Sequence, residues 1–419
     1  MVVLNNKLFE SNNMTHIRKS KRRQLISVNA KVGRDINRSS VLNSIREHQP
    51  ISRINVAKMT GLNKSTVSDI VGELLEENLI EEDIDRNQKV GRNPINLRVK
   101  QEMHVVGAIY FNSPKTELAV IDIGGTIKSK SEIPTETENP KRFIEQCLTQ
   151  LDMLREESKS PAFKGIGITV AGIVDSAQSK VIYAPNLGWE NYEIGQIVRE
   201  LKPDIELITI ENDAKASALA ELLLGRHETP PSSIVFLAVG NGIGSGIVIN
   251  NHVLSGHSHA AGEFGHMTIV EGGELCSCGN QGCWEEYASD RATLRRYAHL
   301  KEISLGQFEK MSIVDVINAA KQGEALACEA LSVTAQYMGL GIANIIRSFD
   351  PEVIIIGGLI TQVWDFVYPK IMEIISKRGF FGTQQSTVVL PTSLTNSTAL
   401  LGAASLSIRK IFADYRIEL

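Results

Sequence analysis

The sequence predicts an α/β chain of two parts, a small basic helical head and a much longer body of alternating strands and helices. Three observations predict it. From Val105 onward, apolar runs alternate with helical patterns: Val105–Tyr110, Glu117–Ile121, Gly165–Val170, Glu206–Ile210, Ile234–Val239 and Val353–Ile356 read as strands, several of them followed by glycine-rich turns. Before Val105 the pattern is helical to about Leu79 and hairpin-like to about Val99. The charge divides at the same place, with 18 Lys+Arg against 11 Asp+Glu in residues 1–100 and 26 against 37 in the remainder. A basic head on an acidic body suggests that only the head meets a polyanion, although charge alone reads equally as a solvated basic tail.

The bulk numbers bound the possibilities. A chain of 419 residues with 42% hydrophobic and 22% charged residues is long enough for two or three domains with large cores. Apolar runs stay short of the roughly 18 residues a membrane span needs. Met1–Ser11 lacks the apolar stretch and small-residue cleavage site of a signal peptide, so a cytoplasmic location without membrane contact is expected. Three of the five cysteines crowd together, while Cys147 and Cys328 stand alone, a pattern of metal binding rather than of a disulfide framework.

In the head, residues 1 to about 35 read as a flexible basic arm, and 36–100 as a folded unit. Val41, Leu42 and Ile45 share one face of a helix over Arg38–Glu47, ended by Pro50. Ser52 is placed to cap a second helix carrying Ile54, Ala57 and Met59. Gly61 permits a left-handed turn, and Asn63 or Ser65 caps a third helix that buries Val67, Ile70, Val71, Leu74 and Leu75. A small residue, a turn glycine and a branched apolar residue at Ala57, Gly61 and Val67 are what two short crossing helices require, which makes this a helix-turn-helix. Asn63, Lys64, Ser65, Thr66 and Ser68 then present short hydrogen-bonding groups and a lysine to a major groove. Two strands, Leu79–Ile80 and Ile95–Leu97, flank the basic tip Arg86–Arg92, whose Arg92 suits a wing at a minor groove. A plain three-helix interaction module is the alternative.

In the body, Cys276, Cys278 and Cys283 fall within eight residues, ten residues after His266. Three thiolates and one imidazole complete a tetrahedral, structural Zn2+ site with no open position. His257 and His259 also lie near enough to compete for the fourth place, and three unpaired core thiols are the bland reading.

Gly262-Glu263-Phe264-Gly265-His266 followed by the run Cys276-Ser277-Cys278-Gly279-Asn280-Gln281-Gly282-Cys283 and then Glu285 resembles the ROK family of repressors, open reading frames and kinases. The resemblance covers about residues 36 to 412 and, with its winged helix-turn-helix, is to the repressor branch, nearest the xylose repressors. It implies a two-lobed actin-like, sugar-kinase-like (ribonuclease H-like) domain over 104–412, split near 213, with the C-terminal helix returning to the first lobe. It also implies a homodimer or dimer of dimers, operator DNA as partner and a monosaccharide effector, xylose or a relative.

Polyols are held by carboxylates and amides at fixed positions. The candidates are Asn212, Asp213, Glu263, His266 and Glu285, with Asn186 at the pocket border; the resemblance implies that they line a monosaccharide site. In kinase members the aspartate matching Asp213 is the general base, and the histidine matching His266 both holds zinc and touches the sugar. Asp122-Ile123-Gly124-Gly125-Thr126 looks like a kinase phosphate loop but stands one hairpin too late, since the first hairpin turn is Asn112-Ser113-Pro114-Lys115. Gly240–Gly246 keeps its glycines but has Asn241 where kinase members offer a threonine, and Ile356-Gly357-Gly358 fits a nucleotide-side turn weakly. The expectation is a sugar-responsive, non-enzymatic repressor with no catalytic residue; an ATP-dependent sugar kinase with an appended helix-turn-helix is the alternative.

Overall fold

The computed structural model describes residues 30–84, 95–227, 231–378 and 386–412. Most of the basic arm and the wing tip with Arg92 lie outside the described residues.

The head contains α1 (Ala30–His48), β1 (Ile51–Ser52), α2 (Arg53–Thr60), α3 (Lys64–Glu76), β2 (Ile80–Ile84) and β3 (Ile95–Val99), its strands ordered β1-β3-β2. Val41, Leu42 and Ile45 of α1 meet Val67, Ile70, Val71 and Leu74 of α3 in one core. The Ser52 hydroxyl accepts from Asn55 N, Gly61 takes φ +69°, and Asn63 caps α3. Two expectations change. The arm does not run to residue 35, because α1 already begins at Ala30 despite Gly33, and Arg34 pairs with Glu73 of α3. In α2, Val56 and Ala57 form the buried face, while Ile54 and Met59 are half-exposed. Only one side of so short a helix faces α1 and α3, and residues 54 and 59 fall on the other.

The first part of the body runs β4 (Val105–Phe111), β5 (Lys115–Asp122), β6 (Ile127–Pro134), α4 (Pro140–Glu157), β7 (Phe163–Val170), β8 (Ile173–Asp175), β9 (Lys180–Ala184), β10 (Trp189–Tyr192), α5 (Ile194–Leu201), β11 (Ile208–Asn212) and α6 (Asp213–Leu224). The second runs β12 (Ser233–Val239), β13 (Ile243–Ile249), β14 (His252–Val253), α7 (Glu285–Ala288), α8 (Asp290–Leu300), α9 (Leu305–Phe308), α10 (Ile313–Lys321), α11 (Ala325–Phe349), β15 (Val353–Gly357), α12 (Trp364–Lys377), β16 (Val388–Pro391) and α13 (Thr398–Phe412). The strand expected from Glu206 starts at Ile208, with Leu207 O already accepting from Ile166 N of β7.

Two five-stranded sheets result, β11-β7-β4-β5-β6 and β14-β13-β12-β15-β16, with a small sheet β10-β9-β8 beside the first. In each large sheet an antiparallel hairpin adjoins parallel strands. α6 and α13 lie between the sheets. α13 follows the whole second part in sequence yet packs on the first sheet: a Cβ on Gly167 of β7 would stand 1.7 Å from Ala403 O, and one on Gly402 2.7 Å from the Ala216 carbonyl carbon of α6. Such contacts require glycine because backbone approaches backbone.

α13 also seats the head. The Phe412 carbonyl accepts from Ser39 Oγ at 3.0 Å and Asn43 Nδ2 at 3.3 Å, and the Arg46 guanidinium stands 5.1 Å from the Phe412 ring centroid. A single hydrophobic cluster therefore runs from the head core through Ile123, Leu400 and Phe412.

Candidate functional site

The site is built where β11 ends and α6 begins. Asn212 caps α6, its Oδ1 accepting from Lys215 N at 3.0 Å and its Nδ2 donating to Gly172 O at 2.9 Å. The amide expected to read a polyol is thus largely committed to holding the helix start. Asp213 follows as the first helical residue. One carboxylate oxygen accepts from Ala214 N at 2.9 Å and the other from the Tyr110 hydroxyl at 3.2 Å. Burial pushes this carboxyl up to about 6, against the hydrogen bonds from Ala214 and Tyr110; the nearby Glu263 carboxylate adds to the rise.

Lys215, one turn-position later, is buried, and its Nζ donates to His259 O at 2.7 Å. His259 belongs to the loop after β14 and reaches Asp175 of β8 at 3.5 Å. Burial lowers the Lys215 pKa while the Glu211 and Glu263 carboxylates oppose it. Side chains from both halves of the body therefore meet at α6: Tyr110, Asp175 and Glu211 from the first, His259 and Glu263 from the second. Asn186 lies exposed in the turn Pro185–Leu187, and among the described residues no hydrogen bond joins it to Asp213 or Glu263.

Glu285 opens α7 and is buried. Its Oε2 accepts from Ile243 N at 3.3 Å, and its Oε1 stands 3.2 Å from Cys276 Sγ, 3.7 Å from His266 Nδ1 and 3.9 Å from Arg291. It thus links the cysteine cluster to the second glycine segment. In that segment a Cβ on Gly242 would lie 2.5 Å from Glu285 Oε2, and one on Gly246 2.3 Å from Ala214 O. These glycines make room for Glu285 and α6, which is sufficient reason for them without a phosphate.

His266, Cys276, Cys278 and Cys283 bring their ligand atoms within 4.8 Å of one another. Cys278 and Cys283 sulfurs are 3.7 Å apart, and His266 Nδ1 is 3.7 Å from Cys276 Sγ. Ligands at about 2.3 Å (sulfur) and about 2.0 Å (nitrogen) on tetrahedral axes are separated by roughly 3.5–3.8 Å, so this donor set and spacing fit a tetrahedral metal ion. His257 and His259 are not in this cluster. Because Nδ1 is the nitrogen turned toward the cysteines, Nε2 is left for a second partner.

The kinase-like motif of the first sheet is not at the first hairpin turn. The β4–β5 turn is Asn112–Pro114, and Asp122–Thr126 is the following turn, at the opposite end of the hairpin. There the Asp122 carboxylate accepts from Gly124 N and Thr126 N and pairs with Lys128 at 3.0 Å. Gln101, in the link from the head, fills the space over Gly124, and Leu224 of α6 that over Gly125. This turn docks the head's connection to the body.

On the head, Lys64, Ser65 and Ser68 are exposed at the start of α3 and Thr66 is half-buried. Asn63 Oδ1 accepts from Thr66 N at 2.8 Å and Ser65 Oγ at 2.7 Å, so Asn63 serves first as the cap. Arg38, Arg53 and Arg98 pair with Glu77, Glu82 and Asp83, whereas among the described residues no ion pair includes Lys64.

Tyr110, Lys215 and Asp175 were not legible as site residues, and His259, a candidate for the metal from sequence, instead lies beside Asp175 and Lys215. The signals were faint: a tyrosine closing an apolar strand, and a lysine inside the alanine-rich run Ala214–Ala220.

Comparison with known proteins fits this geometry. The sequence model of the ROK family matches residues 106–410, and that of winged helix-turn-helix DNA-binding domains matches residues 34–81. The xylose repressor of Bacillus subtilis (strain 168) is 33% identical over 380 residues, covering 89% of this chain and 95% of that protein. A glucokinase of Streptomyces coelicolor is 32% identical over 306 residues, 70% of this chain and 94% of that one. Among solved structures, a ROK family transcriptional regulator homologous to the Escherichia coli MLC protein superposes with a TM-score of 0.79 at 27% identity, covering 91% of this chain and 97% of that one.

Proposed function

The chain belongs to the ROK family and carries a winged helix-turn-helix head, and from that premise we propose that it is a sugar-responsive DNA-binding repressor of carbohydrate-utilisation genes, released from its operator by xylose. The observation that carries this reading is the conjunction of a winged helix-turn-helix head with a cluster of polar side chains at α6 drawn from both halves of the body. α3 reads the operator with Lys64, Ser65, Thr66 and Ser68, and Arg92 reaches from the wing; two copies of the chain meet half-sites about 34 Å apart or a multiple of it. The protein acts in the cytoplasm, where the operator is.

The effector pocket comprises Asp213, Glu263, His266 and Glu285, with Asn212 shaping its floor and Asn186 its border. A sugar that hydrogen-bonds to Asp213 on one side and to Glu263 and His266 on the other favours one angle between the halves, and it shifts the equilibrium only by that difference in affinity. A structural zinc ion is held by His266, Cys276, Cys278 and Cys283; when bound it cross-links the segment that carries Glu263 and Glu285. The unit boundaries that support this account are a head that starts with α1 at Ala30 and runs to about residue 100, and a body at 104–412 divided near 213, with α13 returning to the first half.

The chain is not an enzyme in this reading, because Asn112–Pro114 stands where the first phosphate turn would be and Tyr110 occupies the Asp213 carboxylate. The likeness to glucokinases keeps a sugar kinase as the second reading. Operator titration with and without D-xylose tests the first: release of DNA is expected. Turnover of any pentose or hexose with magnesium and ATP refutes the non-enzymatic part.

A further inference from the structure

Tyr110 lies at the C-terminal end of β4, where strand alternation sends its neighbour Phe111 to the opposite face. Phe111 is fully buried there, 5.1 Å from Trp189 and 5.9 Å from Phe143 between ring centroids. That aromatic cluster fixes the strand end and so fixes Tyr110 on the side facing α6. Its hydroxyl donates to Asp213 Oδ2 at 3.2 Å, while Oδ1 is held by Ala214 N. The phenol therefore takes one acceptor direction of the carboxylate and fills the volume in front of it.

Asp213 is also the pocket residue beside the second glycine segment, since a Cβ on Gly244 would lie 3.1 Å from Ala214 Cβ. Glu263 lies near enough for its charge to act on Asp213. A pyranose spanning the two walls offers ring hydroxyls to one of them. To the other it offers a bare ring methylene if it is a pentose, or an exocyclic hydroxymethyl if it is a hexose.

We propose that Tyr110 is a specificity-determining residue of the effector site: its ring occupies the space an exocyclic hydroxymethyl needs beside Asp213, which restricts the effector to a pentopyranose, and its hydroxyl orients the Asp213 carboxylate toward the ring hydroxyls. The proposal rests on the reading of this cleft as the effector pocket. D-xylose and D-glucose are the matched probes, because their pyranoses share every ring configuration and differ only by that hydroxymethyl.

The test is calorimetric titration of the full chain with each sugar, for wild type, Tyr110→Leu and Tyr110→Phe. Wild type is expected to bind D-xylose at least about tenfold more tightly than D-glucose, the lower end of what one small group is worth in a shaped pocket. Tyr110→Leu, which shortens the side chain but keeps it apolar, should bring the two affinities within about threefold of each other, removing most of that discrimination. Tyr110→Phe keeps the ring, so glucose stays excluded while xylose weakens by about two- to tenfold for the lost hydrogen bond. An unchanged ratio in Tyr110→Leu, or a wild type that binds both sugars equally, overturns the assignment and leaves the pocket standing. A wild type that binds neither overturns the pocket and the assignment together. Should Tyr110→Leu fail to fold, Tyr110→Val decides the steric claim by the same xylose-to-glucose ratio, an unchanged ratio overturning it, and wild-type xylose affinity in Tyr110→Phe overturns the role given to the hydroxyl.

Discussion

Phe412→Ala is expected to disconnect the head from the body. The Phe412 ring is buried in the cluster that joins α1 to α13, and Arg46 stacks over it. Removing the ring loses about 2–3 kcal/mol of burial and about 0.5–1 kcal/mol of cation–π attraction. The hydrogen bonds from Ser39 and Asn43 end on the backbone carbonyl and survive the substitution. The net loss of about 3 kcal/mol is a shift of roughly two decades in the docking equilibrium of the head. Hydrogen exchange over α1 reads the docking directly, and operator titration with and without D-xylose reads its consequence. Faster exchange in α1 is expected, and xylose should change operator affinity far less than in wild type. Phe412→Leu, which keeps most of the volume, should retain both properties. Wild-type exchange in α1 together with a full sugar response in Phe412→Ala refutes the argument that α13 carries the signal.

Other expectations follow from the site. Cys278→Ser should lose bound metal by elemental analysis and lower the melting temperature, because a structural metal contributes folding free energy; a folded wild type purified without metal refutes the site. Lys64→Ala should weaken operator binding and flatten its dependence on salt by about one unit of log–log slope, and an unchanged slope removes Lys64 from the phosphate contacts. The raised Asp213 pKa gives a pH dependence whose sign is fixed. With a folded value of about 6 against an unfolded value of 3.8, the folded state holds the extra proton between these limits, so this group's contribution to stability is full below 3.8 and is lost as pH rises through 6. Sugar affinity runs the other way: the ionised carboxylate is the better acceptor, so affinity should fall as pH drops below about 6. Burial raises Asp290 to about 7 and raises Glu211 as well, so Asp213→Asn separates the contributions; an identical pH profile in that variant excludes Asp213 as the titrating acceptor.

The elements that could be read from sequence were those where one local rule decides. The Ala57, Gly61 and Val67 spacing, the Ser52 cap and the cysteine run each depend on residues a few positions apart, and the structure has each of these local features. The order of the turns could be read as well: Asn112–Pro114 joins β4 to β5, and Asp122–Thr126 follows one strand later. What could not be read depends on distant residues. Nothing near Tyr110 says that Asp213 will lie against it, 103 positions later, nor does the sequence near Lys215 disclose His259. The exposed side of α2 misled for the same reason: Ile54 and Met59 are apolar, but which side of the helix is covered is settled by α1 and α3. Asn212 was read as a ligand-binding amide, yet it sits at a helix start where a cap is the stronger local demand, whereas Asn63 was read as a cap and is one.

The placement of α13 has a consequence for how the protein is made. The Ser39 hydroxyl waits for a carbonyl 373 residues downstream, and the first sheet waits for the same helix to cover β7 and β4. During synthesis the head and most of the body emerge well before either surface has its partner. A chain interrupted anywhere before Thr398 therefore carries its DNA-reading helix without the seat that ties it to the sugar cleft. Loss of α13 would leave the Ser39, Asn43 and Arg46 face of α1 and the α13-facing side of β7 and β4 uncovered at once, so the integrity of one helix is reported at two distant surfaces.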